Sequence, residues 1–269
     1  MSEYADPDLE TIAPLPPRPP APLVEPAPPP HRGSAIGMIA ALVVVALVVG
    51  FGTATVVLNA RDSSPKSAVE TRPDSSVLDG LIVRQSDAPL GATVFPLDHG
   101  NDVTVATLDL CNGHFPSEAQ RVARRQVVLV DELGVTQLST EAVLYAQPSG
   151  STQAFGELRS VTAHCPPNPV KSPVGEDTTK TKFRAAPDGS WPRTPTVDRL
   201  AFDFVSTDTA GKSVHSVAIY LRRGRALMGL YFTRPDRPQT AIAGHTTIPT
   251  IVAFFEARLA DAPAGAISG

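Results

Sequence analysis

Cysteine is nearly absent, with two residues in 269. Two are too few for the framework of a disulfide-rich mini-domain. A surplus of positive charge is also missing. The net charge is −4, so the basic face of a nucleic-acid binder is not there, and no nucleic-acid partner is expected. The chain carries no nucleophile elbow, P-loop, H-E-x-x-H pair or dinucleotide fingerprint. No named enzyme class is supported, and the expectation is a protein without catalytic activity or cofactor. Repeats of 20–50 residues are absent, which excludes a solenoid. The apolar fraction of 42% and charged fraction of 19% exclude a wholly disordered chain, a collagen and a multi-span membrane protein.

The averages mix unlike parts. Eleven of the 28 prolines fall within residues 1–33, as in Ala13-Pro14-Leu15-Pro16-Pro17-Arg18-Pro19-Pro20. Proline fixes φ and lacks an amide hydrogen, so this stretch is expected to be a disordered, polyproline-II-like cytoplasmic tail. It serves as a stiff spacer or as a docking peptide for an aromatic groove.

Residues 34–58 hold no charged side chain. A run of that length and uniform apolarity predicts a transmembrane helix through the lipid bilayer. It begins too far from the N-terminus and runs too long for a cleaved signal peptide, so a signal-anchor is expected. Gly50-Phe51-Gly52 lacks GxxxG spacing, and helix pairing through the span is not indicated. Flanking charge does not set the orientation: Arg18 and Arg32 precede the run, and Arg61, Lys66 and Arg72 follow it.

Residues 59–77 read as a polar stalk, 78–260 as one folded domain, and 261–269 as a flexible tail. Beyond residue 60 the chain carries 21 Lys and Arg against 22 Asp and Glu, which predicts no polyionic partner. Within the domain, Thr93–Leu97 and Val103–Leu110 read as short strands. Ser117-Glu-Ala-Gln120 has capping-box form and predicts a helix to about Arg124. Gln126–Val130 and Glu141–Ala146 are β-rich. Ser149–Cys165 has helical apolar spacing, ended by Pro166-Pro167. Residues 166–195 hold seven prolines and predict a long surface loop containing Trp191, the only tryptophan. Trp191 either plugs onto the domain or lines a ligand groove. Leu200–Val205, Ser213–Arg222 and Ala226–Phe232 alternate as an antiparallel meander. Ile248, Ile251, Val252, Phe255 and Leu259 form the stripe of a final helix. Strands with a few packed helices and no βαβ alternation predict an α+β fold with an antiparallel sheet.

Cys111 and Cys165 are placed to form a disulfide closing a 54-residue separation. Such a bond suits an oxidising compartment and places the domain outside the plasma membrane, N-terminus in. Free thiols or a zinc site with His114 and His164 are the alternatives, the second disfavoured because adjacent helical residues point apart. His99, His215 and His245 are scattered. Asp131-Glu132 and Glu176-Asp177 read as solvated turns. Arg222-Arg223-Gly224-Arg225 reads as a hairpin tip, either solvated or facing phospholipid head groups or an anionic envelope polymer.

The segment Thr107-Leu-Asp-Leu-Cys111-Asn-Gly-His-Phe-Pro-Ser117-Glu-Ala-Gln-Arg121-Val-Ala-Arg-Arg125-Gln, a helix ending at Cys165, the Leu221-Arg-Arg-Gly-Arg225 hairpin and a C-terminal helix follow one another. In that order they resemble the membrane-anchored extracellular sensor-type domains of actinobacterial envelope proteins, including PknH-like kinases and related lipoproteins. The resemblance implies an α+β ligand-sensing module with a cleft, binding an unknown small ligand or an envelope protein. The chain departs from the PknH-like pattern in two ways: it can form one disulfide rather than two, and it carries no kinase domain. A structural or assembly factor of the envelope is the alternative reading, and an envelope hydrolase a weaker one.

Overall fold

The computed structural model describes Val44–Leu47, Ala54–Val57 and residues 73–268. The Pro-rich tail lies outside the described residues. So does the expected span, apart from strands β1 (Val44–Leu47) and β2 (Ala54–Val57), which pair antiparallel. Among the described residues no helix is long and apolar enough to cross a membrane.

The fold is α+β. Eight antiparallel strands form one sheet in the order β3-β4-β5-β10-β9-β8-β7-β6. Its strands are β3 (Thr93–Pro96), β4 (Arg121–Val130), β5 (Thr136–Tyr145), β6 (Val170–Lys171), β7 (Thr178–Phe183), β8 (Asp198–Asp208), β9 (Ser213–Arg223) and β10 (Ala226–Phe232). The β8–β9–β10 meander follows from alternation in sequence. Val217, Ile219 and Leu221 point to one face, and Ala218 and Tyr220 to the other. The turns carry matching chemistry. Asp208 Oδ1 accepts the amides of Ala210 and Lys212, with Gly211 at φ 82°.

Helices cover both faces. Helix α1 (Pro73–Leu81) and α3 (Ile248–Ala260) close one face over the larger core. The α3 stripe Ile251, Val252, Phe255 and Leu259 is fully buried, each side chain contributing about 1.5–3 kcal/mol. Helix α2 (Pro148–Ala163) lays Ala154, Phe155 and Leu158 on the opposite face, against Val143, Tyr145, Tyr220 and Leu227.

Four sequence expectations are corrected. Val103–Leu110 is no strand, because its backbone groups go to side chains rather than to a neighbouring strand, as described below. The helix expected from Ser117 is a single 3-10 turn, Pro116–Gln120, after which β4 begins at Arg121, five residues earlier than its apolar run suggests. The loop expected over 166–195 contains edge strands β6 and β7, whose Thr- and Lys-rich sequence suits a sheet margin. Residues 261–269, read as a tail, contain helix α4 (Ala264–Ile267), and Ile267 is buried. Its carbonyl accepts the Arg225 amide at 2.7 Å, over the bare Cα of Gly224, where a methyl group would lie 2.0 Å from that oxygen. Helix α1 occupies the end of the segment read as a stalk.

Candidate functional site

The face under α2 is less apolar than a core face should be. Strand register lines up Leu200, Tyr220, Gly229, Glu141 and Gln126 across β8, β9, β10, β5 and β4. Glu141 is 2% exposed. A lone buried carboxylate would be prohibitively costly, so it is paired: Arg124 Nε donates to Glu141 Oε1 at 2.6 Å. The rest of the Arg124 guanidinium donates to the carbonyls of His99 (2.9 Å) and Asp102 (3.2 Å) and to Gln126 Oε1.

Arg121 does the same one turn of chain earlier. It donates to the carbonyls of Val103 (2.9 Å), Val105 (2.8 Å) and Glu118 (2.9 Å) and to Thr107 Oγ1 (2.9 Å). Glu118 Oε1 accepts the amides of Thr107 (2.7 Å) and Leu108 (2.9 Å). Residues 97–112 are therefore held as an irregular strap over the sheet by guanidinium and carboxylate groups standing in for a neighbouring strand. This is why the alternating sequence of Val103–Leu110 does not become one.

Beneath the strap lies a cavity lined by Thr107, Arg121, Glu141, Tyr145, Tyr220, Gly229 and Tyr231, with room for about one water molecule. Gly229 creates it. A methyl group there would lie 2.7 Å from the Tyr231 hydroxyl and 2.9 Å from its ring. Only glycine lets Tyr231 lie across the strand, edge-on to Tyr220 with centroids 5.8 Å apart. Burial drives the hydroxyl pKa of Tyr145, Tyr220 and Tyr231 upward, so all three are neutral donors at any physiological pH.

Asp109 sits at the end of the strap, 5% exposed. Burial pushes its pKa up to about 7, Glu118 and Glu141 push in the same direction, and the Ser172 hydroxyl (3.1 Å) opposes them. Two and three residues further on, Cys111 and Asn112 have φ of 62° and 55°, a left-handed region unfavourable to residues with a Cβ. What holds them is the Cys111–Cys165 disulfide, with Cα atoms 5.4 Å apart, together with bonds from the Asn112 side-chain amide to the Val170 and Thr179 carbonyls. The disulfide fastens the strap to the end of α2. Both sulfurs are thereby removed from metal chemistry, and among the described residues no three His, Cys, Asp or Glu side chains converge on a cation position.

Trp191 lies on the other face. It is half-buried against the α3-side core, with the Arg199 guanidinium 5.6 Å from its ring centroid, and it does not line the cavity. Arg199 organises that loop, donating to Asp188 (3.0 Å), to Glu256 of α3 (2.8 Å) and to the Pro192 carbonyl (2.8 Å).

Among the described residues the histidines do not gather. At His215 each ring nitrogen meets a carboxylate, Asp203 at 2.8 Å and Asp236 at 2.5 Å, which leaves neither nitrogen to activate a nucleophile. The arginine hairpin is spent internally. Arg222 binds Asp198 and Thr152, Arg223 the Leu259 and Ala262 carbonyls at the end of α3, and Arg225 Asp74 and the Ala266 carbonyl.

Sequence reasoning found the disulfide and missed Arg121, Arg124, Glu141 and Asp109. The available signal was a charge set inside otherwise β-branched runs.

No protein-family model matches the chain, and no curated protein matches it. Among solved structures it is similar to the extracellular domain of PknH from Mycobacterium tuberculosis, at 9% identity over 69% of this chain and 94% of that one, with a TM-score of 0.36. A likeness of that degree fixes neither the fold nor the activity of this chain.

Proposed function

We propose that the chain is a single-pass, membrane-anchored extracytoplasmic protein whose C-terminal domain binds or senses and does no catalysis of its own. The observation that carries this is the Cys111–Cys165 disulfide, which locks a left-handed turn and ties the strap down. A bond placed to hold strained backbone suits a compartment where disulfides persist. The charge-free run 34–58 supplies the anchor, and the resemblance carried by residues 107–126 supplies the sensor-like character. Protease added to intact cells should remove the domain and spare the N-terminal tail. Protection of the domain would refute the placement.

A second reading, an assembly factor of the envelope, is favoured by the size of the cavity beneath the strap, which has room for a water molecule and not for a metabolite. Native mass spectrometry of the purified full chain separates the two. A retained small molecule supports sensing, whereas cross-linking to an envelope protein with no retained molecule supports assembly.

A further inference from the structure

The strap is fixed at two points. At one end the Leu97 amide donates to the Gln126 carbonyl of β4 at 3.2 Å, and at the other Cys111 is bonded to Cys165. Between them the segment belongs to no strand of the sheet. It hangs on the side chains of Arg121, Arg124 and Glu118. Its outer part is exposed at Thr104 and Val105, and its inner part, Thr107 to Leu110, is buried over the tyrosine cavity. A segment with two fixed ends and no ladder can open locally while the sheet stays intact.

The buried part has one weak point. Asp109 is hydrogen-bonded through its side chain to the Ser172 hydroxyl alone, at 3.1 Å. Burial opposes a negative charge there, and so do two carboxylates, Glu118 of the 3-10 turn and Glu141 of β5. Tyr220 of β9 and Tyr231 of β10 feel that charge too, and both phenols stay neutral. Among the described residues no Lys, Arg or His nitrogen pairs with Asp109. Arg121 is spent on the strap carbonyls, Thr107 and Glu118, and Lys171 of β6 on Glu176 at the surface. His114 and His164, beside the disulfide, are exposed. A protonated carboxyl fits this site. An ionised one is relieved by lifting into water, which carries the strap with it.

We propose that residues 98–110 are a lid over the tyrosine cavity and that Asp109 is its proton-operated latch, closed while the carboxyl holds its proton and released as the proton leaves. The inference is independent of the sensing or assembly role. The closed form keeps the proton up to about pH 7, and the open form, with Asp109 in water, loses it near the ordinary 3.8. Opening therefore grows with pH over that window and levels off above it. From pH 5 to pH 7 the open fraction should rise about fiftyfold.

The test is native-state hydrogen exchange of the full chain in detergent micelles, read by mass spectrometry and corrected for intrinsic rates at each pH. Peptides spanning residues 103–110 report the lid through the Thr107 and Leu108 amides, which Glu118 accepts. They should exchange faster than the β5 and β10 core and show little dependence on low urea. Their opening should rise about fiftyfold from pH 5 to pH 7 and then stay flat. Asp109→Asn should abolish the rise and leave the lid as closed as at acid pH. Ser172→Ala removes the one bond that favours the charged carboxyl, so the level-off should move to higher pH. Circular dichroism confirms that each variant is folded. Strap exchange that follows the core in rate and urea dependence would overturn the proposal. So would equal opening at pH 5 and pH 7, or a rise that persists in Asp109→Asn.

Discussion

Asp109 offers the sharpest quantitative test of how the strap is built. Its carboxyl is buried with one hydroxyl partner, Ser172, and no cation hydrogen-bonded to it. Its pKa moves from the ordinary 3.8 to about 7, chiefly through burial. Between those values the folded protein holds a proton that the unfolded chain has released. Stability is therefore full below about pH 4, declines as pH rises, and is flat above about pH 7. The loss is bounded by the shift, about 3 pH units or roughly 4 kcal/mol. Asp109→Asn keeps the shape and the Ser172 bond but cannot ionise. It should lie within about 1 kcal/mol of the wild type at pH 4.5 and be more stable at pH 8 by up to roughly 4 kcal/mol. For a domain of this size that corresponds to a melting temperature higher by about 8–16 °C. Thermal melts from pH 4.5 to 9 measure it. If the difference between variant and wild type is the same at every pH, Asp109 has the same pKa folded and unfolded, and the account of its burial is wrong.

Further predictions follow from the same geometry. Glu256→Ala removes one of the two carboxylates paired with the buried Arg199 guanidinium, Asp188 being the other, and should cost about 1.5–3 kcal/mol. Because Trp191 is the only tryptophan and stacks on Arg199, its fluorescence should shift to the red, and unchanged emission would contradict that packing. Gly229→Ala drives a methyl group into Tyr231 and should cost about 1–3 kcal/mol in urea denaturation, with Tyr231→Leu in the same chain recovering part of it. The double variant Cys111→Ser, Cys165→Ser should lose about 4 kcal/mol on the loop-entropy account, and hydrogen exchange should rise in residues 97–112 before the rest of the sheet.

The parts of the fold legible in sequence were those with a local cause. The β8–β9–β10 meander announces itself by period-two alternation broken at Asp208–Gly211 and Gly224, and α3 by the stripe ending at Leu259. α2 announces itself by helical spacing between two proline stops. The disulfide was legible because only one pairing of two cysteines exists. The strap was not legible. Val103–Leu110 has strand alternation, and whether such a run joins a sheet depends on what reaches its carbonyls. Here Arg121 arrives from 16 and 18 residues away. Likewise β4 begins amid arginines, because its charged side chains bury against Glu141 and the strap instead of facing water.

The sequence by itself determined the meander, the two long helices, the single covalent closure and the near-neutral charge of the domain, since each depends on residues close in the chain or too few to pair otherwise. Tertiary structure decided where the charges went. It placed Glu141 beneath the strap, buried Asp109 at the strap's end, put Trp191 on the opposite face, spent the arginine hairpin largely on the C-terminal helices, and set Gln85 across the free edge of β3. Those outcomes follow from desolvation and hydrogen-bond accounting between distant segments, which no local pattern encodes.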